Sequence, residues 1–262
     1  MDTILTIGLN TFREAVRNKV LYSLLAFALV VIVASMAFGA LSVHEEARLT
    51  ADLGLGGMSL FSVIIAVFVG VNLLYKELER KTIYSLIPKP IHRFQFVVGK
   101  YLGMVLTLAI QLVIMTAVLQ VVLLVQQAGF GDTLYKMVVL IFLEVLVVTA
   151  VAVLFSSFST PFLSGLFTLG IFLLGRSVPD IRRVAHKLKR PGLSPLLQVV
   201  AAVVPNLRHF YATGADVAGE HISIHGAFPD WTYVAWASGY SLLYVVATLL
   251  IAILLFSRRD FI

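Results

Sequence analysis

Over most of this chain the apolar positions do not alternate with polar ones; they run together. A membrane-crossing helix needs about 20 mainly apolar residues, since about 30 Å of hydrocarbon is crossed at about 1.5 Å per residue. Six runs meet or approach that length: 20–41, 58–75, 97–125, 134–155, 162–175 and 232–256. The fourth and fifth belong to one apolar stretch, 134–175, too long for a single crossing. The break is placed at SSFSTP, Ser156 to Pro161, because proline lacks an amide donor and disfavours helix in the residue before it. The first run follows Arg13, Arg17 and Lys19, too far into the chain for a cleaved signal peptide, and is read as a retained span.

Two stretches interrupt this pattern. In 176–231, Val178, Ile181, Val184, Ala185 and Leu188 recur at three- and four-residue steps. Arg182, Arg183, Lys187, Lys189 and Arg190 fall among and after them, so the pattern predicts a basic amphipathic helix on a membrane surface, stopped at Pro191 and Gly192. Leu196 to Val204 is about half a span long and ends at Pro205 and Asn206, which suits a re-entrant or interfacial helix. Such a segment either caps the bundle or serves as a gate or partner-docking surface. The second interruption, Lys76 to Lys100, mixes charges with Leu78, Ile83, Leu86 and Ile87 and reads as an amphipathic elbow ended by Pro88 and Pro90.

Composition agrees with lipid as the solvent. Of 262 residues, 60% are hydrophobic and 13% charged, with a mean hydropathy of +0.97; soluble domains carry about 25% charged residues. A soluble enzyme is excluded. With no cysteine there is no disulfide or thiolate site. The net charge of +6 marks membrane flanks rather than nucleic acid. With both termini cytoplasmic, the inner side collects Arg13, Arg17, Lys19, Lys76, Arg80, Lys81, Lys89, Arg93, Lys100, Arg258 and Arg259. Against this stand Arg176, Arg182, Arg183, Lys187, Lys189, Arg190 and Arg208, which the same topology places outside.

Candidate chemistry is sparse. No GxxxxGK[ST] occurs, so the chain has no P-loop and is not expected to be an enzyme. The glycine-rich run before Met58 opens a span and follows no strand, and HEE at His44–Glu46 lacks a zincin's second histidine. No metal site is expected. Glu144 falls near the middle of the fourth span, where a charge costs about 2.5–3.5 kcal/mol. Asn72, Gln111 and Gln120 on neighbouring spans are its expected partners. Such a group is either a polar point on a transport path or a packing hydrogen bond worth about 0.6 kcal/mol.

The run ERKTIYSLIPKPIHRFQFVVGK, Glu79 to Lys100, resembles the intracellular loop of ABC-2 type permeases. Glu79, Arg80, Thr82, Pro90, Arg93, Phe96, Gly99 and Lys100 match that pattern in order, while Lys81 replaces its usual glycine. Asn10 to Leu25 is similar to the family's N-terminal interface helix, and Leu154 to Phe172 to its paired fourth and fifth spans. The subfamily it most looks like serves nitrous oxide reductase maturation.

The resemblance implies an all-α integral membrane protein with one transmembrane domain, 1–262. It would comprise an interface helix (1–19), six spans, a cytoplasmic coupling loop (76–96), and an extracytoplasmic segment (176–231) with re-entrant or amphipathic helices. It further implies a permease of a bacterial inner-membrane ABC exporter, paired with a second copy or a homologous permease. Two separate ABC ATPase subunits would bind the ATP and magnesium, and this chain would need no cofactor. Glu77, Glu79, Arg80, Lys81, Thr82 and Tyr84 would contact the ATPase. Lipid would surround the bundle. The alternative is a membrane scaffold that anchors an ATPase and an extracytoplasmic partner, uses the basic helix Arg176 to Arg190 as the docking face, and moves no solute. A stand-alone ion-coupled carrier fits less well, with one central carboxylate and no detectable inverted repeat.

Overall fold

The computed structural model describes residues 2–40, 46–79, 92–127, 131–187, 193–211, 215–217, 220–222 and 230–257. Eight α-helices account for nearly all of them: α1 (Asp2–Val16), α2 (Lys19–Gly39), α3 (Glu46–Glu79), α4 (Arg93–Val125), α5 (Asp132–Phe158), α6 (Pro161–Lys187), α7 (Leu193–Val203) and α8 (Trp231–Ser257). Six of these, α2 to α6 and α8, are long and apolar enough to cross a membrane. A 3-10 turn at Leu207–Phe210 follows α7. Two three-residue strands, β1 (Ala215–Val217) and β2 (Glu220–Ile222), pair antiparallel with Asp216 opposite His221. This small hairpin has no counterpart in the hydropathy pattern.

Helix α5 is the axis of the bundle. It packs on α3, α4, α6 and α8, and 67% of its most apolar stretch is buried, against 28% for α2 and α6. The outward sides of α2 and α8 keep large apolar residues exposed, among them Phe27, Val30, Leu242 and Leu243. In a bundle without water outside it, those side chains face acyl chains and need no protein cover.

Helix α1 crosses α4 at close range. A Cβ on Gly99 would stand 2.8 Å from Ile7 Cβ, and one on Gly103 would stand 2.6 Å from Thr11 Cβ and press on the Gly8 carbonyl. Small residues four apart let the two backbones meet, as in other helix pairs within membranes. Lys100, between these glycines, is almost wholly buried and pairs with Glu14 of α1 at 3.7 Å. At the same end of the bundle, Arg93 Nη1 donates to the carbonyls of Phe256 (3.1 Å) and Ser257 (2.8 Å), so a cation closes the C-terminus of α8.

The expected fifth span differs most from its helix. Instead of ending at Gly175, α6 continues through Arg176, Arg182 and Arg183 to Lys187, so the span and the basic amphipathic helix are one element. Pro179 lies inside it and costs one backbone bond, to the Gly175 carbonyl, without ending the helix. The freed region is covered: a Cβ on Gly175 would lie 2.7 Å from the Pro205 carbonyl and 2.8 Å from Leu207 Cγ, which shows how tightly the turn after α7 fits there.

Candidate functional site: a buried ion pair between three spans

Ser59 of α3, Glu144 of α5 and Arg176 of α6 meet in the interior. Each lies about halfway along its helix. Arg176 Nε donates to Glu144 Oε1 at 3.1 Å, and Nη2 donates to Oε2 at 3.1 Å and to Ser59 Oγ at 2.6 Å. The Ser59 hydroxyl in turn donates to Glu144 Oε2 at 2.6 Å. Glu144 is fully buried and Arg176 is 24% exposed. The forked guanidinium meets the carboxylate with two parallel bonds, the geometry in which an arginine–carboxylate pair is strongest.

Two aromatic rings flank the cation. Phe172, one turn earlier on α6, has its centroid 4.8 Å from Arg176 Cζ, and Tyr211, just after the 3-10 turn, has its centroid 4.2 Å away. Ring faces attract a guanidinium, more so where water is excluded. Tyr211 also lies beside α3, since a Cβ built on Gly56 would stand 3.8 Å from its hydroxyl.

The segment that carries Tyr211 hangs from α8. Tyr233, Tyr240 and Tyr244 lie on one side of that helix, at seven- and four-residue steps. Tyr233 donates to the His209 carbonyl at 2.7 Å, Tyr240 accepts the Asn206 amide at 2.9 Å, and Tyr244 donates to the Val203 carbonyl. Irregular backbone beside a membrane-embedded bundle needs such partners for its polar groups. Asn206 Oδ1 accepts from the Arg208 amide at 3.2 Å, so its Nδ2 is left to donate to His209 Nε2 at 2.9 Å. That assigns His209 as neutral with its proton on Nδ1. Burial, and then the nearby charge of Arg182, hold the His209 pKa below its ordinary value.

The expected partners of Glu144 are not its partners. Among the described residues Glu144 bonds Arg176 and Ser59, and no hydrogen bond joins it to Gln111 or Gln120. Asn72 is thirteen residues past Ser59 on α3, about 20 Å away. Gln111 is buried with neither end of its amide bonded among the described residues, and Gln120 is half-buried. The true partner, Arg176, stands where hydropathy falls, at the start of the expected extracytoplasmic segment.

Around the basic end of α6, Asp180 faces Arg183 at 3.9 Å and Arg208 at 3.8 Å, while Arg182 donates to the Ala201 carbonyl at 3.1 Å. Lys187 is exposed, and Lys189 and Arg190 lie outside the described residues. At the opposite end of the bundle, Glu77 and Glu79 are on the last turn of α3, and Arg80, Lys81, Thr82 and Tyr84 lie outside the described residues. Among the described residues no group of three or more histidine, aspartate or glutamate side chains gathers to hold a metal.

A family model described as "ABC-2 family transporter protein" matches residues 5–261. The match is to the family as a whole and distinguishes no subfamily. No curated protein matches the chain.

Proposed function

Since the chain belongs to the ABC-2 family of transporter proteins and is a multi-pass membrane permease subunit, we propose that it forms half of the pathway of an ATP-driven exporter. Two copies would pair, and a separate ATPase bound to each would supply the energy through bound ATP and magnesium. In this reading the end of the bundle that holds α1, the start of α4 and the end of α8 is cytoplasmic. Glu77 and Glu79 at the end of α3, with Arg80, Lys81, Thr82 and Tyr84 after them, form the contact with the ATPase. The membrane is the bacterial inner membrane.

One observation carries the transport reading beyond family membership: the Ser59–Glu144–Arg176 centre joins α3, α5 and α6 midway along their lengths. A buried pair of this kind is a costly way to hold helices together, since apolar residues of equal volume often do as well or better. It is a good way to give two arrangements distinct energies, because the charges must stay paired or be hydrated in each. ATP can shift such an equilibrium only through contacts that differ between the states. A contact at the α3 end would act on Ser59 through a single continuous helix.

The test is assembly and turnover. The purified chain alone hydrolyses no ATP, and an ATPase co-purifies with it from its native membrane. Glu79→Lys or Arg80→Glu abolishes that association or uncouples its ATP turnover from transport. If both variants retained full assembly and ATP-driven transport, the coupling assignment would be wrong.

A further inference from the structure

Helix α1 carries three distinct stripes. Gly8, Thr11 and Ala15 are buried on the side that meets α4. Leu5, Leu9 and Val16 form an apolar stripe that remains 59%, 49% and 36% exposed. Thr6, Asn10, Arg13 and Arg17 form the third, exposed and polar, and Lys19, also exposed, begins α2. Spacings of three and four residues keep each stripe on one side of the helix. With protein on one side and the rest divided between apolar and basic residues, α1 is suited to lie along the membrane surface, apolar stripe toward the acyl chains and basic stripe toward the headgroups.

Arg13, Arg17 and Lys19 are exposed and have no ion-pair partner among the described residues. The nearest carboxylate in sequence, Glu14, turns the other way and pairs with buried Lys100. Three positive charges within the stretch 13–19 are therefore exposed close to exposed leucines.

We propose that α1 and the start of α2 form a binding site for anionic phospholipid, with Arg13, Arg17 and Lys19 on the headgroup phosphates and Leu5, Leu9 and Val16 against the acyl chains. The complementarity is double, of charge and of apolarity, and a soluble anion would satisfy only one half. The site does not depend on whether the protein exports a solute. It does matter mechanically, because α1 is fastened to α4 at Gly99, Gly103 and Lys100, and α4 begins just after the stretch that precedes Arg93.

The experiment is thermal unfolding of the full chain in neutral-detergent micelles, titrated with short-chain phosphatidylglycerol, short-chain phosphatidylcholine or inorganic phosphate. Phosphatidylglycerol is expected to raise the midpoint saturably, and the other two are expected to leave it in place. Each cation near a charged bilayer contributes about fivefold in affinity, so the combined Arg13→Gln, Arg17→Gln and Lys19→Gln variant should bind phosphatidylglycerol at least tenfold more weakly. Arg17→Lys should bind as the wild type does. Should the combined variant fold poorly in the absence of lipid, Arg13→Gln alone should still weaken binding several-fold. The proposal is overturned by an equal shift with phosphatidylcholine, by an equal shift with inorganic phosphate, or by unchanged binding in the combined and single variants.

Discussion

Neutralising Glu144 would leave the Arg176 guanidinium facing an amide where it now holds two charge-assisted bonds. Breaking a buried pair from one side typically costs about 3–5 kcal/mol, far more than the pair contributes when both partners are exchanged together. Glu144→Gln is therefore expected to destabilise strongly, and Arg176→Met in the same chain to restore much of the loss. Unfolding equilibria of the two single variants and the double variant in mixed micelles measure this coupling; additive losses would contradict the pair. His209 gives a second residue-scale expectation. Its folded pKa lies below the ordinary value near 6.5, so the unfolded chain takes up the proton more readily. Its contribution to stability is complete above about pH 6.5 and is lost as pH falls through the folded value. The melting midpoint should drop between pH 7 and 5, and His209→Gln should flatten part of that slope. Asp230, held below its usual value chiefly by the Thr232 hydroxyl and then the Trp231 amide, acts in the opposite range: its contribution is lost only as pH falls below about 3.9.

At the scale of elements, the decisive contacts are those hydropathy does not register. The six spans were legible because lipid imposes one requirement on all of them, and the run lengths carry it. The length of α6 was not. Hydropathy falls at Arg176 and Pro179 is a general helix breaker, yet Glu144 offsets the charge and the Pro205–Leu207 turn packs over the weakened backbone. Neither compensation is local in sequence. The same holds for the tyrosines of α8, which leave no mark in the hydropathy pattern and whose hydroxyls bond the backbone at Val203, Asn206 and His209. The α1–α4 crossing was legible only as a glycine–lysine pair in a family pattern. Its physical content gives a prediction: Gly103→Ala places a methyl group against the Gly8 carbonyl and Thr11, so α1 should lift from α4. Protease sensitivity near Arg13 and Arg17 should rise at least several-fold, with α5 and α8 still protected. Unchanged protection of α1 would mean that the crossing tolerates greater separation.

For the whole molecule, part of the charge distribution that opposed six spans now has local reasons; Lys187 is exposed, and Lys189 and Arg190 lie outside the described residues. Of the basic residues after Gly175, Arg176 is neutralised inside the bundle, Arg183 and Arg208 share Asp180, and Arg182 bonds the Ala201 carbonyl. Cations held in this way are part of the fold of that end and say less about orientation than free ones do. Arg13, Arg17 and Lys19, exposed and without an ion-pair partner among the described residues, are at the other end, the one that the proposed topology makes cytoplasmic. In the proposed reading, the Ser59–Glu144–Arg176 centre lies on a path whose access changes with ATP. A chain without cysteine allows one direct measurement. Gly56, one turn before Ser59, has room for a side chain, with Tyr211 Oη at 3.8 Å. In vesicles holding Gly56→Cys with its co-purified ATPase, the rate of modification by a membrane-impermeant thiol reagent is predicted to differ at least fivefold between the nucleotide-free and ATP-trapped states. Equal rates in the two states, with ATP turnover intact, would contradict the account.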